Sequence, residues 1–311
     1  MPMRNAYLII AHGNYSQLEK LIKYLDCKNT DFYIHINSMV DMPDEAYFKG
    51  LVKESKLFFT DRAKVVWGEY GILEAMLIAL ETALLSGHEY DYYHVLTGVD
   101  LPIKTKKYIN NFLEANLFNN RSNGRLKTNY LYVDDFMTDE TLSRVTKYNL
   151  LVKYWRYQNK YIQKTARGIN KLGYLLQKMI GVNRFRDYDG VIYKGAPWWS
   201  VTNECAQFIV SHKEWMKQRF SYMTFGADEL AIQTLIMNSD FRNSLFSPID
   251  KCTNNMNVRL IDWKRGRPYT WRIKDFDELI STEHLFARKF DERIDQEIID
   301  KMYDYLNESE E

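Results

Sequence analysis

The chain has 311 residues, which corresponds to about two average domains or to one large α/β domain, and 46% of them are apolar. Its 42 basic and 41 acidic residues give a net charge of +1, so we expect no nucleic-acid partner. No apolar run reaches the ~18 residues of a membrane span, and the apolar stretch 6–11 is too short for a secretory signal. The composition excludes collagen-like, disordered, disulfide-scaffold and integral-membrane proteins.

The cysteines and histidines form no recognisable metal or disulfide pattern. Cys27, Cys205 and Cys252 are far apart and lack both a CxxC motif and zinc spacing, which indicates a reducing compartment and a cytoplasmic protein. The histidines form neither an HxxxH nor an HExxH pair. The chain also lacks the GxGxxG and Walker-type glycine loops, which argues against a dinucleotide-binding enzyme and a P-loop NTPase.

Strand and helix patterns alternate along the first third of the chain. They predict strands over 6–11, 31–37, 64–68 and 92–102, and helices over 17–25 and 72–84. This alternation is typical of an α/β fold, with a mostly parallel sheet flanked by helices. Ligands of such sheets bind beyond the carboxyl ends of the strands. The side chains of His12, Asn37 and the turn Gly98–Asp100 follow three of those ends.

The sequence changes character near residue 120, where we divide one continuous unit into two halves, 1–120 and 121–311. A polar loop over 118–129 marks the change. The second half is predicted to contain a strand pair around 191–202, helices over 203–218 and 228–237, a last strand over 258–263 and a solvated helix that frays in the acidic C-terminal tail.

The segment from Lys147 to Arg186 is unusually basic. It contains ten Lys and Arg residues and no Asp or Glu, interleaved with leucines and aromatic residues. This pattern predicts one or two amphipathic basic helices. They either pack on the sheet with a solvated charged face or dock peripherally on an anionic membrane, which would suit a lipid-linked acceptor.

Two acidic motifs are candidates for chemistry. Asp187 and Asp189 form an Asp-x-Asp pair that could bridge a divalent ion to a diphosphate, or simply neutralise Arg184 and Arg186 in a turn. Asp228 and Glu229 precede an apolar helix. Helix capping and the favourable helix dipole are one explanation of these residue types. The other is a carboxylate that is held at the start of a helix to act as a general base.

Basic and aromatic residues in the second half of the chain offer further binding groups. Two clusters of cations, 264–267 and 288–289, are either solvated surface charge or meet over an anionic leaving group. Trp198 and Trp199 open a strand near the expected acceptor cleft, where a sugar face could stack. Because neighbours on a strand alternate faces, we expect at least one of the two indoles to point into the core.

Together these motifs resemble one known family. They are AYLIIAHGN, DFYIHIN, VVWGEYGILEAMLIAL, YHVLTGVDLPIKT, YKGAPWWSVTNECAQFIV, FGADELAIQTL and LFARKFD, in that order. The family is that of the core-2/I-branching β-1,6-N-acetylglucosaminyltransferases and peptide O-xylosyltransferases, glycosyltransferase family 14. The resemblance implies a GT-A-like fold, with a nucleotide-sugar-binding half followed by an acceptor-binding half.

The resemblance also implies a reaction. It is an inverting transfer from a UDP-sugar, N-acetylglucosamine- or xylose-like, to a hydroxyl of a glycan or lipid-linked saccharide. No metal or other cofactor is expected, because basic side chains near the C-terminus replace the metal of other GT-A enzymes. The animal members carry a membrane anchor and disulfides that this sequence lacks. It therefore resembles a bacterial, cytoplasmic member that acts on capsule, exopolysaccharide or lipopolysaccharide intermediates, and that lies peripherally at the inner face of the membrane.

Individual roles follow from matching positions. The resemblance implies that Glu229 is the catalytic base and that Lys289 binds the diphosphate. Arg267 is the best match for the partner of Lys289, with Arg265 and Arg272 as rivals. The other donor contacts that the resemblance implies are His12, Asn37 and Asp100. The acceptor contacts are Trp198, Trp199 and Asp228. Asn37 and Ala227 stand where the family has Asp and Pro.

Two other functions remain compatible with the residues. One is a metal-dependent transferase that uses Asp187 and Asp189, which chelator sensitivity would reveal. The other is a non-catalytic carbohydrate-binding protein that retains the fold without its chemistry.

Overall fold

The computed structural model describes residues 3–118, 126–134, 137–247 and 256–310. The division proposed at residue 120, most of the polar loop 118–129 and Cys252 lie outside these ranges. Within them, no helix is both long enough and apolar enough to cross a membrane.

Helices and strands alternate along the first part of the chain. The elements are β1 (Asn5–Ala11), α1 (Tyr15–Leu25), β2 (Thr30–Ile36), α2 (Glu45–Lys49), β3 (Lys56–Phe59), α3 (Gly71–Leu85), β4 (Tyr92–Thr97), β5 (Leu101–Pro102) and α4 (Lys106–Ala115). Those that follow are α5 (Asp139–Thr146), α6 (Lys160–Met179), β6 (Ser200–Thr202), α7 (Asn203–Ser211), α8 (Lys213–Phe220), α9 (Ala231–Met237), β7 (Arg259–Ile261), α10 (Phe276–Ser281), β8 (Phe286–Arg288) and α11 (Gln296–Glu308).

The larger sheet has the strand order β3-β2-β1-β4-β6. Its first four strands are parallel, and β6 joins β4 in the antiparallel direction. Every residue of β1, β2 and β4 is buried, because helices and loops cover both faces of the sheet. The sequence prediction of an α/β fold with a mostly parallel sheet flanked by helices is confirmed.

A smaller sheet, of order β5-β8-β7, is joined to the carboxyl edge of the larger one. Its strand β5 begins four residues after β4 ends, in the turn that contains Asp100. Beyond β8, the N–H of Phe290 donates to the carbonyl of Val99 (2.9 Å). These links bring the C-terminal segment 286–290 to the strand ends where ligands of α/β sheets bind.

The buried guanidinium of Arg259 connects the two sheets. From β7 it donates to the carbonyls of Val95 (3.1 Å) in β4 and Trp199 (2.9 Å), and to the hydroxyl of Ser200 (3.0 Å) in β6. It also donates to the carbonyl of Asn257 (2.6 Å). A planar group with several donors can satisfy carbonyls from several strands at once, which a single aliphatic side chain cannot.

Several elements differ from the sequence predictions. The third strand is β3, whereas 64–68 is a loop, because the Val65 N–H and carbonyl bond to the side chain of Asn37 rather than to a strand. One helix predicted over 203–218 is two, α7 and α8, and the strand pair around 191–202 is the single strand β6.

The C-terminal helix α11 also differs, because its apolar stripe packs into the core instead of fraying. The buried residues are Ile298, Ile299, Met302, Tyr303 and Leu306.

We expect Arg259→Leu to lower the free energy of unfolding by several kcal/mol, since the buried carbonyls of Val95 and Asn257 lose their donor at a cost of ~1–3 kcal/mol each. The Trp199 carbonyl and the Ser200 hydroxyl keep their bonds to the Val95 N–H and to His94. Urea unfolding followed by circular dichroism measures the change. Arg242→Leu, at an exposed position, is the matched control and should stay within about 0.5 kcal/mol of the wild type. Equal stability of the two variants would contradict the bridging role of Arg259.

Candidate functional site

Three predicted donor contacts lie at the carboxyl edge of the larger sheet. His12 follows β1, Asn37 follows β2 and Asp100 lies in the turn after β4. β1 is the neighbour of both β2 and β4, so these residues occupy adjacent strand ends. This is the edge at which the sequence pattern predicts ligand binding.

His12 lies in a basic environment. Partial burial of its imidazole, followed by the charges of Arg288 and Arg293, lowers the pKa of His12 below its usual value. The ring is therefore neutral at physiological pH and can accept or donate one hydrogen bond. The two arginines show that the end of β1 lies near the C-terminal segment beyond β8.

Asn37 uses its amide within the protein. Its Nδ2 donates to the Val65 carbonyl (2.9 Å), and its Oδ1 accepts from the N–H groups of Val65 (3.0 Å) and Met39 (3.1 Å). The side chain thereby holds the loop 64–68 against the end of β2. The nucleotide contact implied for Asn37 remains a prediction, which would have to use the second Nδ2 hydrogen.

Asp100 ties the end of β4 to the small sheet. Its carboxylate accepts hydrogen bonds from the backbone N–H (2.7 Å) and the hydroxyl (2.9 Å) of Thr97. A nitrogen of Arg288, at the end of β8, lies 3.4 Å from the same carboxylate. Arg288 also stacks on Trp198, with its guanidinium carbon 4.0 Å from the ring centroid. Arg288 thus contacts both Asp100, a predicted donor-binding residue, and Trp198, a predicted acceptor-binding residue.

The Arg288 guanidinium is short of hydrogen-bond partners. Its side chain is largely buried, and Nη1, which lies 3.4 Å from Asp100 Oδ1, makes no hydrogen bond to any residue that the structure describes. One carboxylate at that distance leaves part of the donor capacity of the guanidinium unused among the described residues. The position therefore favours an anionic ligand.

Lys289 follows Arg288 and lies against the loop that carries the candidate arginines. Its N–H donates to the carbonyl of Tyr269 (3.3 Å), and its carbonyl accepts from the N–H of Trp271 (3.0 Å). Among the described residues, the ammonium group of Lys289 has no ion-pair partner. Lys289 is therefore held by its backbone beside residues 269–271. Hydrogen bonding to Arg293 lowers the pKa of the nearby Asp291 carboxyl, and the charge of Lys289 helps to lower it.

The three rival arginines of this loop differ in availability. Arg265 is bound by the carboxylates of Asp262, Asp275 and Glu278 and lies over the ring of Tyr269. Its guanidinium is a structural clamp, which argues against the donor-binding role considered for it.

Arg267 and Arg272 are exposed, and in the part of the chain that the structure describes neither side chain has an ion-pair partner. Both therefore remain candidates for the partner of Lys289.

Glu229 is paired with an arginine from a distant part of the chain. Its Oε2 lies 2.7 Å from Nη1 of Arg144 in α5, and both side chains remain partly exposed. No hydrogen bond from a described residue reaches Oε1. Glu229 and Asp228 lie in a 3₁₀ turn, Ala227–Glu229, and α9 begins only at Ala231, so Asp228 is not the helix cap that the sequence suggested.

Aromatic side chains form a wall beside this carboxylate. The guanidinium carbon of Arg144 lies 4.8 Å from the ring centroid of Phe225. Trp155 (4.9 Å) and Trp67 (5.3 Å) contact the same ring. The turn is tied to the first half of the chain, because the N–H of Gly226 donates to the carbonyl of Gly68 (2.9 Å).

The segment 195–198 connects the backbone of Glu229 to the ring on which Arg288 stacks. The N–H of Gly195 donates to the Glu229 carbonyl (2.8 Å), and Trp198, three residues on, lies under Arg288. Three residues span at most about 11 Å. A β-carbon on Gly195 would lie 1.9 Å from the carbonyl oxygen of Tyr132, so only glycine allows this close approach.

Asp228 is buried behind Glu229. Burial, aided by the neighbouring negative charge of Glu229, raises the pKa of Asp228 to about 7. Much of the population is therefore protonated at neutral pH. The acceptor contact implied for Asp228 stays a prediction for a side chain that is only 8% exposed.

The acceptor contact implied for Trp199 is wrong. Trp199 is fully buried among the residues of the core, so it cannot stack on a sugar, whereas Trp198 stays partly exposed. The expectation that one indole points inward is confirmed.

Asp187 pairs through both oxygens with Arg219 (2.7 and 2.9 Å), not with Arg184 or Arg186. In the described ranges, no three His, Cys, Asp or Glu side chains group as metal ligands would.

Two functional neighbours escaped sequence reasoning. Arg144 is an ordinary exposed-face residue of an amphipathic helix, 85 residues from Glu229. Arg288 stands inside a motif that drew attention to Lys289 instead. Nothing in the sequence marks Arg144 or Arg288 as neighbours of the candidate residues, because only the fold brings them into contact.

Comparison with known proteins now places the chain. A model of the core-2/I-branching enzyme family matches residues 5–285. The chain belongs to this family. The match confirms the resemblance found in the motifs, and the family is one of glycosyltransferases.

Curated relatives carry xylosyltransferase names. A xylosyltransferase of Ciona intestinalis is 22% identical over 323 residues, covering 97% of this chain and 34% of the relative. Xylosyltransferase 1 of Homo sapiens is 22% identical, covering 98% of this chain and 30% of the relative. The chain spans about a third of the length of these relatives. The solved apo form of mouse xyloside xylosyltransferase 1 overlaps 92% of this chain, and 96% of its own, with a TM-score of 0.39 and 10% identity.

We expect Asp228→Asn to stabilise this core-2/I-branching family member at pH 8 more than at pH 5. The carboxyl keeps its proton up to about pH 7 when folded but only to about pH 4 when unfolded, so the folded state loses stability as the pH rises between these values. Asn avoids that loss, and we expect a gain of ~1–3 kcal/mol at pH 8 in urea unfolding. The exposed Asp277→Asn is the control. An equal gain at both pH values would contradict the raised pKa.

Proposed function

We propose that this chain is an inverting glycosyltransferase that needs no metal and moves a sugar from a UDP-sugar to a saccharide hydroxyl. The observation that carries the proposal is that two charged groups are attached to the two ends of segment 195–198. The backbone of Glu229, whose Oε1 accepts no hydrogen bond from a described residue, is bonded to Gly195, and Arg288, which precedes Lys289, stacks on Trp198. This arrangement supplies both a base for the incoming oxygen and positive charge for the leaving diphosphate.

The acceptor is activated by Glu229. Arg144 binds Oε2 and fixes the orientation of the carboxylate, so that Oε1 can receive the proton of an acceptor hydroxyl. The acceptor oxygen then forms a bond to the anomeric carbon as the bond from that carbon to the diphosphate oxygen breaks. Attack from the face opposite the leaving group inverts the anomeric centre, through an oxocarbenium-like transition state.

The leaving diphosphate is met by the C-terminal cations. Nη1 of Arg288, which lies 3.4 Å from Asp100, makes no hydrogen bond within the described ranges, and the Lys289 ammonium has no ion-pair partner there. Arg267 or Arg272 completes the set, since Arg265 is held by three carboxylates. Charge-assisted bonds from Arg and Lys to phosphate oxygens offset the negative charge that develops as the glycosidic bond breaks.

The sugar and its acceptor are assigned by chemical class. The relatives' names support a xylose donor. An N-acetylglucosamine donor is the alternative that the resemblance of the motifs implies. On the acceptor side, the partly exposed ring of Trp198 offers a face for a saccharide, and Arg288 fixes that ring from the other side. We propose a glycan or a lipid-linked saccharide as the acceptor.

We expect Glu229→Gln to keep UDP affinity within about twofold and to lower turnover by about 10²–10⁴-fold, because it removes the base but not the diphosphate site. Release of UDP from UDP-N-acetylglucosamine and UDP-xylose, with a panel of saccharide acceptors, measures turnover. Glu214→Gln, an exposed residue of α8, is the control. Turnover close to wild type in Glu229→Gln would remove Glu229 from this role.

We expect Lys289→Ala to weaken UDP binding by about 10- to 100-fold, the loss of one charged hydrogen bond. Calorimetric titration with UDP in excess EDTA measures the affinity, and Lys274→Ala is the matched control. Wild-type binding that requires added Mn²⁺ would contradict metal independence. Unchanged affinity in Lys289→Ala would contradict the role of this lysine.

A further inference from the structure

Helix α6 is attached to the protein by its polar face. The inward-facing residues are Gln163, Ala166, Asn170, Gly173 and Gln177. Asn170 Oδ1 accepts from the N–H of Leu150 (2.7 Å), and Gln177 accepts from the N–H of Tyr148 (2.7 Å) and donates to its carbonyl (3.0 Å). Gln163 donates to the carbonyl of Trp155 (2.9 Å). Side-chain amides therefore hold the helix against segment 148–155.

The apolar face of the same helix points to solvent. Tyr161 is 83% exposed, Leu172 60%, Met179 82% and Ile180 77%. The remaining exposed apolar residues on this stretch are Ile162, Ile169, Leu175 and Leu176. In a helix that packs on a globular core, the apolar stripe faces inward and the polar face outward. Here the usual arrangement is reversed, and a contiguous apolar surface is left uncovered by any described residue.

A row of cations borders this apolar face. At ~100° per residue, Lys164, Lys171 and Lys178 recur every two turns and lie on one line, next to Leu172, Leu175 and Met179. Lys160 and Arg167 fall on the same side of the helix. All five are exposed, and no described carboxylate forms an ion pair with them. The whole segment 147–186 contains no acidic residue.

We propose that α6 is an interfacial helix that docks this protein on an anionic lipid bilayer. The apolar face would enter the acyl boundary, and the row of lysines would lie at the level of the acidic headgroups. Charge decides between occupants: a second copy of the chain would bring two uncompensated rows of lysines together, whereas an anionic surface neutralises them. This surface is independent of the reaction proposed for the chain.

The docked helix would lie close to the candidate site. Segment 148–155, to which α6 is bonded, includes Trp155, whose ring packs on Phe225. Phe225 in turn lies against Arg144, the partner of Glu229. The contact between Trp155 and Phe225 thus joins segment 148–155, which holds α6, to the aromatic residues beside Glu229.

Sedimentation with vesicles tests the proposal without any activity assay. The probes are vesicles of phosphatidylcholine alone and of equal parts phosphatidylcholine and phosphatidylglycerol, at low and physiological salt. We expect binding to the anionic vesicles that weakens as salt rises. A factor of about five for each lysine near the surface predicts a loss of about 100-fold in Lys164→Gln/Lys171→Gln/Lys178→Gln. Leu172→Gln/Leu176→Gln should lose more than about 10-fold.

Matched controls separate the helix from general surface properties. Leu85→Gln removes an exposed leucine elsewhere, and Lys53→Gln/Lys107→Gln/Lys217→Gln removes three exposed lysines outside α6; both should bind as the wild type does. Circular dichroism confirms that each variant is folded. Lack of binding to anionic vesicles at low salt would overturn the proposal. The proposal would also be overturned if the wild type dimerised with rising concentration without binding vesicles, and if Leu172→Gln/Leu176→Gln abolished that dimerisation.

Discussion

The buried guanidinium of Arg259 is the contact on which the site depends. It is the point at which β7 of the small sheet is bonded to β4 and β6 of the large one. The strand β8 is carried by β7, and β8 delivers Arg288 and Lys289 to the carboxyl edge of the large sheet. The pairing of β8 with β5 and the bond from the Phe290 N–H to the Val99 carbonyl hold the other side of β8, so the cations are fixed to the strand ends from two directions. A buried charge, which is usually a cost, is here the element that sets the geometry of two sheets.

A short peptide segment links the two parts of the candidate site. Gly195 is bonded to the backbone of Glu229, whose carboxylate pairs with Arg144, and Trp198 lies against Arg288, which lies near Asp100. The sequence order hides this arrangement, because Arg144, Glu229 and Lys289 lie far apart along the chain. The path of segment 195–198 depends on close approaches that tolerate no extra atom, such as that of Gly195 to the Tyr132 carbonyl.

Much of this could be predicted from sequence, and the remainder has identifiable causes. The alternation of apolar strands and helices predicts the parallel sheet, because burial on both faces demands continuous apolar runs such as β1. The loop 64–68 looked like a strand, since apolar content does not reveal that a side-chain amide would bind its backbone. Arg267 is preferred to Arg265 from the motif alone, but only the fold shows that three carboxylates hold Arg265. Trp198 and Trp199 were correctly expected to differ, but only the fold says which indole is buried.

The reversed polarity of α6 also determines how a surface could capture the protein. Because the helix is already formed and bonded through amides, no coil has to become ordered on arrival, and the entropic cost of folding at an interface is avoided. Attachment would leave the helical content of the chain unchanged and would be limited by encounter rather than by refolding. The protein would bind as a rigid body through the exposed face of α6. It would dissociate when salt screens the lysines of that face, without any unfolding of the helix.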